Sequence, residues 1–199
     1  MRRGVFAARA VARKGGRVKV QKIMACAAAL VGRRDLCDYL EGKGGADSDG
    51  LRRDAEQMLR CFNLAENEAA LDFIPLKKEQ KVSSDGVIPF SAFAWAPVEV
   101  EGVFSPAGGR LHFRVTEEGI AVRSGEALVR YRARPAVKCA CDEADFEGGE
   151  RFLALGTACE FALMEGMLDR AAELDARYKD ALAAAARSRG GRMRQRRWI

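Results

Sequence analysis

Residues Leu51–Leu76 read LRRDAEQMLRCFNLAENEAALDFIPL, and the fold turns on this stretch. Leu51, Ala55, Met58, Phe62, Ala65 and Ala69 recur at alternating intervals of four and three. An α-helix advances about 100° per residue, so that spacing gathers the six side chains into one apolar stripe. A long amphipathic helix is predicted. Pro75 stops it, because proline has no N–H to donate and its ring clashes with the preceding turn. Beyond Pro75 the period shortens from 3.6 towards 2. Leu111, Phe113 and Val115 alternate with His112, Arg114 and Thr116, and Leu128-Val129-Arg130-Tyr131-Arg132 continues the pattern. Short strands are predicted at 76–82, 87–90, 98–104, 110–116, 119–123 and 126–134. Ser84-Asp85-Gly86, Pro106-Ala107-Gly108-Gly109, Glu118-Gly119 and Ser124-Gly125 supply the turns between them.

Working outward, both flanks are helical. Val20, Ile23, Met24, Ala27, Leu30 and Val31 share a stripe within a predicted helix over 18–33, and a short helix follows over 35–40. Gly42-Lys43-Gly44-Gly45 breaks the chain, and Asp47 and Asp49 stand where an N-cap belongs. On the far side, Phe152, Leu155, Cys159, Ala162 and Leu163 mark one side of a helix over 150–165. Gly166 punctuates it, and a helix over 167–187 carries Leu168, Ala171, Ala172, Leu174, Tyr178, Ala181, Leu182 and Ala185. The expected class is α+β: a helical bundle from N- and C-terminal helices, a small antiparallel β insertion, and a flexible basic C-terminal arm. The chain divides into a disordered basic leader (1–17), N-terminal helices (18–75), the β insertion (76–135), C-terminal helices (136–187) and the arm (188–199).

Charge is segregated along these divisions. The 199 residues sum to +6, yet residues 1–22 carry eight basic side chains and 187–199 carry six, with no acid in either. The stretch between them therefore nets −8. An acidic body carries two basic ends. At 48% apolar residues the whole chain is no candidate for disorder, and no apolar run reaches the roughly 18–20 residues that cross a bilayer. Six cysteines, at 26, 37, 61, 139, 141 and 159, show no paired spacing, which favours a reducing compartment. The Arg-rich, acid-free start fits either a leader outside the fold or an organelle-targeting segment.

Chemistry-bearing motifs are scarce. His112 is the only histidine, it alternates with apolar neighbours, and it is expected to face solvent. Cys139-Ala140-Cys141 lacks the second pair that a tetrahedral zinc site wants. Asp47-Ser48-Asp49-Gly50 imitates the opening of a calcium loop without its closing glutamate, so helix capping is the reading. Neither a P-loop nor a dinucleotide fingerprint occurs. No enzymatic activity, metal or cofactor is expected.

The closing segment Arg187-Ser-Arg-Gly-Gly-Arg192-Met-Arg194-Gln-Arg196-Arg197-Trp198-Ile199 is the unusual feature. Its guanidiniums suit phosphates, with strong salt dependence, or carboxylates on a protein partner, which they pair bidentately. The terminal Trp198 tips the balance towards protein, being an anchor type common in interface hot spots. A nucleic-acid-binding protein using both basic termini is the alternative.

The segment Arg151–Leu182, RFLALGTACEFALMEGMLDRAAELDARYKDAL, resembles the C-terminal helical pair of head-to-tail adaptor (connector) proteins of tailed bacteriophages. An Ala-rich helix, a glycine near the break and a helix holding Arg177, Tyr178, Lys179, Ala181 and Leu182 match that family's pattern. So do the Arg196-Arg197-Trp198-Ile199 ending and the long helix closing in Asp72-Phe73-Ile74-Pro75-Leu76-Lys77-Lys78 before a β insertion. The resemblance covers residues 18–199; the leader departs from it. It implies a structural virion protein assembled in the host bacterial cytoplasm. A ring of such subunits, typically a dodecamer, joins the portal protein to tail or neck proteins and extends the channel through which DNA passes. It further implies that Arg192, Arg194, Arg196, Arg197 and Trp198 contact the portal.

Overall fold

The computed structural model describes residues 17–43 and 49–188. Among the described residues, five α-helices and seven strands make an α+β fold in which the strands interrupt the helical bundle. The helices are α1 (Val20–Leu30), α2 (Arg34–Leu40), α3 (Asp49–Glu68), α4 (Glu150–Met164) and α5 (Leu168–Ser188). Between α3 and α4 run β1 (Leu76–Ser84), β2 (Val87–Pro89), β3 (Pro97–Phe104), β4 (Arg110–Leu111), β5 (Phe113–Val115), β6 (Gly119–Val122) and β7 (Gly125–Ala133).

The stripe that decided the reading does what its spacing requires. Met58, Phe62, Ala65 and Ala69 are buried, while Leu51 and Ala55, two turns and one turn before Met58, are only half covered. Asp49 opens α3 as its first residue; Asp47 lies outside the described residues. The helix does not run unchanged to the proline. Ala69–Phe73 widens into a π-turn in which the Ile74 N–H donates to the Ala69 carbonyl at 2.7 Å. Ile74 is already extended, as the residue before a proline is pushed to be, and β1 starts two residues later.

Helix α4 is the hub. Every residue from Phe152 to Cys159 is buried, although the sequence pattern marked only one side as apolar. Helices α1, α3 and α5 pack against it, and a helix covered on several faces loses the clean stripe of a surface helix. Close approach is built in at Gly156, where an added Cβ would lie 2.8 Å from the Tyr178 ring and 3.0 Å from the Ala65 Cβ. Leu163, expected on the buried side, is exposed at the helix end, and so is Leu168 at the start of α5.

The insertion forms two antiparallel sheets, ordered β1-β7-β3-β4 and β2-β6-β5. The segment expected as one strand over 110–116 is divided between them. Leu111 pairs with Val103 in the first sheet and Phe113 pairs with Val122 in the second. His112 is the corner, and it faces solvent as its alternation suggested. The first helix starts at Val20, where its stripe begins and two residues later than the range expected over 18–33, because Val18 and Lys19 join the loop after β7. Lys19 bridges Glu143, and the Ala144 N–H donates to the Val18 carbonyl at 3.0 Å.

Candidate functional site

The five residues expected to contact a partner, Arg192, Arg194, Arg196, Arg197 and Trp198, all lie outside the described residues. The structure leads up to them. Helix α5 continues to Ser188, with Arg187 exposed in its last turn and the Ser188 hydroxyl donating to the Ala185 carbonyl at 2.8 Å. No helix among the described residues is long and apolar enough to cross a membrane.

The other candidates separate rather than converge. Cys139 and Cys141 are both exposed, while Cys61 and Cys159 are buried. Burial pushes the Cys61 thiol up to about 12 and the Cys159 thiol up to about 11, so both are held as inert thiols. No three His, Cys, Asp or Glu side chains among the described residues are placed to hold a metal ion.

What the sequence pattern passed over is a polar cluster where α3 meets the loop between β7 and α4. Glu66 is fully buried on α3. One of its oxygens, Oε1, accepts the Asp145 N–H at 2.7 Å; the other, Oε2, is buried without a hydrogen-bond partner, as is Asp145 Oδ2. Lys138 Nζ donates to Asp145 Oδ1 at 2.9 Å, with both side chains nearly covered. Asn63, one turn before Glu66, grips the Lys138 backbone twice. Its Oδ1 accepts the Lys138 N–H at 2.7 Å and its Nδ2 donates to the Lys138 carbonyl at 3.1 Å. Above this clamp the Trp95 ring takes Lys78 at 4.1 Å and Lys138 at 5.6 Å from its centroid, both within cation–π reach.

The electrostatics of Glu66 follow from this burial. Removal from water is the largest influence and pushes its carboxyl up to about 7; the Asp145 N–H and the Lys138 charge oppose the shift, while the Asp145 charge adds to it. One signal in the sequence could have found the site. Glu66 stands four residues after Phe62 and four before Ala70, on the buried side of the helix, where a carboxylate needs a partner. Chemically the arrangement binds its own chain: it anchors the loop to α3. A second link ties the insertion to the bundle, the Arg132 Nη2 donating to the Leu71 carbonyl at 2.8 Å while Nη1 pairs with Glu99 at 2.8 Å.

No protein-family model matches this chain, and no curated protein is significantly similar to it in sequence.

Proposed function

We propose that this chain is a non-enzymatic structural adaptor that joins the portal of a phage head to its tail, as a ring of subunits that extends the DNA channel. The observation that carries the reading is the order of parts. Helices α1–α3, an inserted pair of sheets and the α4–α5 hairpin are followed directly by a segment of five arginines and a terminal Trp-Ile, on a body of opposite charge. An arm continuing from a long, well-packed helix can reach a groove on a partner while the body stays outside it. Its arginines pair with carboxylates there, and Trp198 supplies the apolar anchor. The acidic body suits a channel, since like charge does not hold passing DNA.

Co-expression with the cognate portal tests this. The full chain should be recovered in a complex of portal size, and deletion of residues 189–199 should abolish recovery without unfolding the body. Recovery unchanged by that deletion removes the arm from the interface, and no complex with the full chain removes the adaptor reading.

A further inference from the structure

The helical bundle carries an exposed apolar knob flanked by acidic residues and, on another part of the bundle surface, a groove edged by arginines. The knob is the turn between α4 and α5. Leu163, Met164 and Leu168 stand 48%, 52% and 67% exposed there, close together on one turn. Glu165 and Asp169 flank them, and Asp169 makes no ion pair among the described residues. The groove lies between α1 and α4, open to solvent, with a volume of about 360 Å³. Ala29, Leu30, Ala154 and Leu155 line it, with Arg151 and Arg177 at its edges. Arg177 approaches Glu173 at 3.5 Å, but Arg151 has no ion-pair partner among the described residues.

Within one chain Arg170, beside Asp169, reaches the groove's rim, its Nη2 donating to the Leu30 carbonyl at 2.6 Å, but Asp169 and Arg151 stand at opposite ends of it. Twelve residues of α4 separate Arg151 from Leu163, about 18 Å at the helical rise. The groove is apolar between its arginines, and the unpaired Arg151 guanidinium at its edge matches the unpaired Asp169 carboxylate beside the knob. We infer that the groove takes the α4–α5 turn of a second copy of this chain. Leu168 and Leu163 enter between Ala29, Leu30, Ala154 and Leu155, and Asp169 pairs with Arg151. Where each contact seats one knob in one groove without reciprocation, the arrangement is head-to-tail and its repetition gives a ring or a filament, which products larger than a dimer distinguish from a two-fold pair. This deepens the ring part of the proposed function by naming the surfaces between subunits.

Cys26 also lines the groove and is exposed, which provides the test. In the full chain with Cys139→Ser and Cys141→Ser, a Leu168→Cys variant is treated with a short bis-maleimide over a concentration series. The expected product is a ladder of dimers, trimers and higher species. Mass spectrometry on mixed isotope-labelled chains should find residue 26 joined to residue 168 between chains, and the ladder should vanish with Cys26→Ser. Links between two copies of residue 168 alone, or no ladder at any concentration, overturn the inference. In sedimentation, Arg151→Glu and Asp169→Arg should each weaken self-association by about tenfold or more, and the two together should restore it. Self-association unmoved by either reversal overturns the pairing. Portal capture without the 26–168 link sinks this contact and spares the adaptor reading; the link without portal capture does the reverse.

Discussion

A buried carboxyl such as Glu66 makes stability depend on pH in a direction that can be worked out. Its value of about 7 in the folded chain exceeds the 4.5 of an exposed glutamate. Below 4.5 both states hold the proton, and the group costs nothing. Between 4.5 and 7 only the folded state holds it, so stability falls as pH rises; above 7 the cost is complete. A shift of this size corresponds to about 3 kcal/mol. Glu66→Gln keeps an acceptor for the Asp145 N–H and removes the charge, so its advantage over the native chain should be small at pH 4.5 and grow towards pH 8. Urea unfolding midpoints across that range measure it, and a constant difference would show that Glu66 is not the titrating group. Asn63→Ala at the same junction leaves the Lys138 N–H and carbonyl without their side-chain partners, a loss of about 1–3 kcal/mol that the same unfolding curves would register. At this scale the sequence was only partly legible. The solvent-facing corner at His112 followed from alternation, but Glu66 did not, because its partner Asp145 comes from a loop 79 residues away that carries no periodic signal.

At the level of elements, periodicity located the helices and most strands, and it failed where tertiary packing overrides local pattern. Helix α4 looked one-sided because alanines and Gly156 are ambiguous: they can face solvent or permit contact. The structure uses Gly156 for contact, and three helices meet across it. Gly156→Val therefore forces Tyr178 and Ala65 apart, and overpacking of this kind costs about 1–3 kcal/mol. Thermal melts should show a fall in midpoint with a change in the near-ultraviolet signal of Tyr178. An unchanged melt would mean that α4 and α5 are not packed as closely as described. The division of one alternating run into β4 and β5 was equally hidden, since both halves keep the same period and only their partners differ. Gly119, at the turn into β6, fixes that arrangement. A Cβ there would sit 2.2 Å from the Ile88 carbonyl oxygen, across the ladder that pairs β2 with β6. Even Gly119→Ala should open that pair, with faster amide exchange at Ile88 and Ile120 than in β7.

For the molecule as a whole, charge distribution says more than total charge. The sum of +6 suggests a mildly basic chain, yet removing residues 1–16 and 189–199 removes ten basic side chains and no acid, leaving −4. Two opposite predictions about DNA follow from the two readings of those ends. If the basic ends are the DNA-binding device, the full chain is retained on duplex DNA at low salt. Its affinity then falls by roughly 0.9 of a logarithmic unit per phosphate contact for each tenfold rise in salt. If the body lines a channel, the chain spanning 17–188 should show no retention at any salt, because a net negative body repels the duplex. Comparing the two chains on the same column separates the contributions. The adaptor reading requires the shortened chain to pass unretained and tolerates weak, salt-sensitive retention of the full one. Retention of the shortened chain would place DNA binding on the folded body, and an acidic channel wall could then no longer be argued.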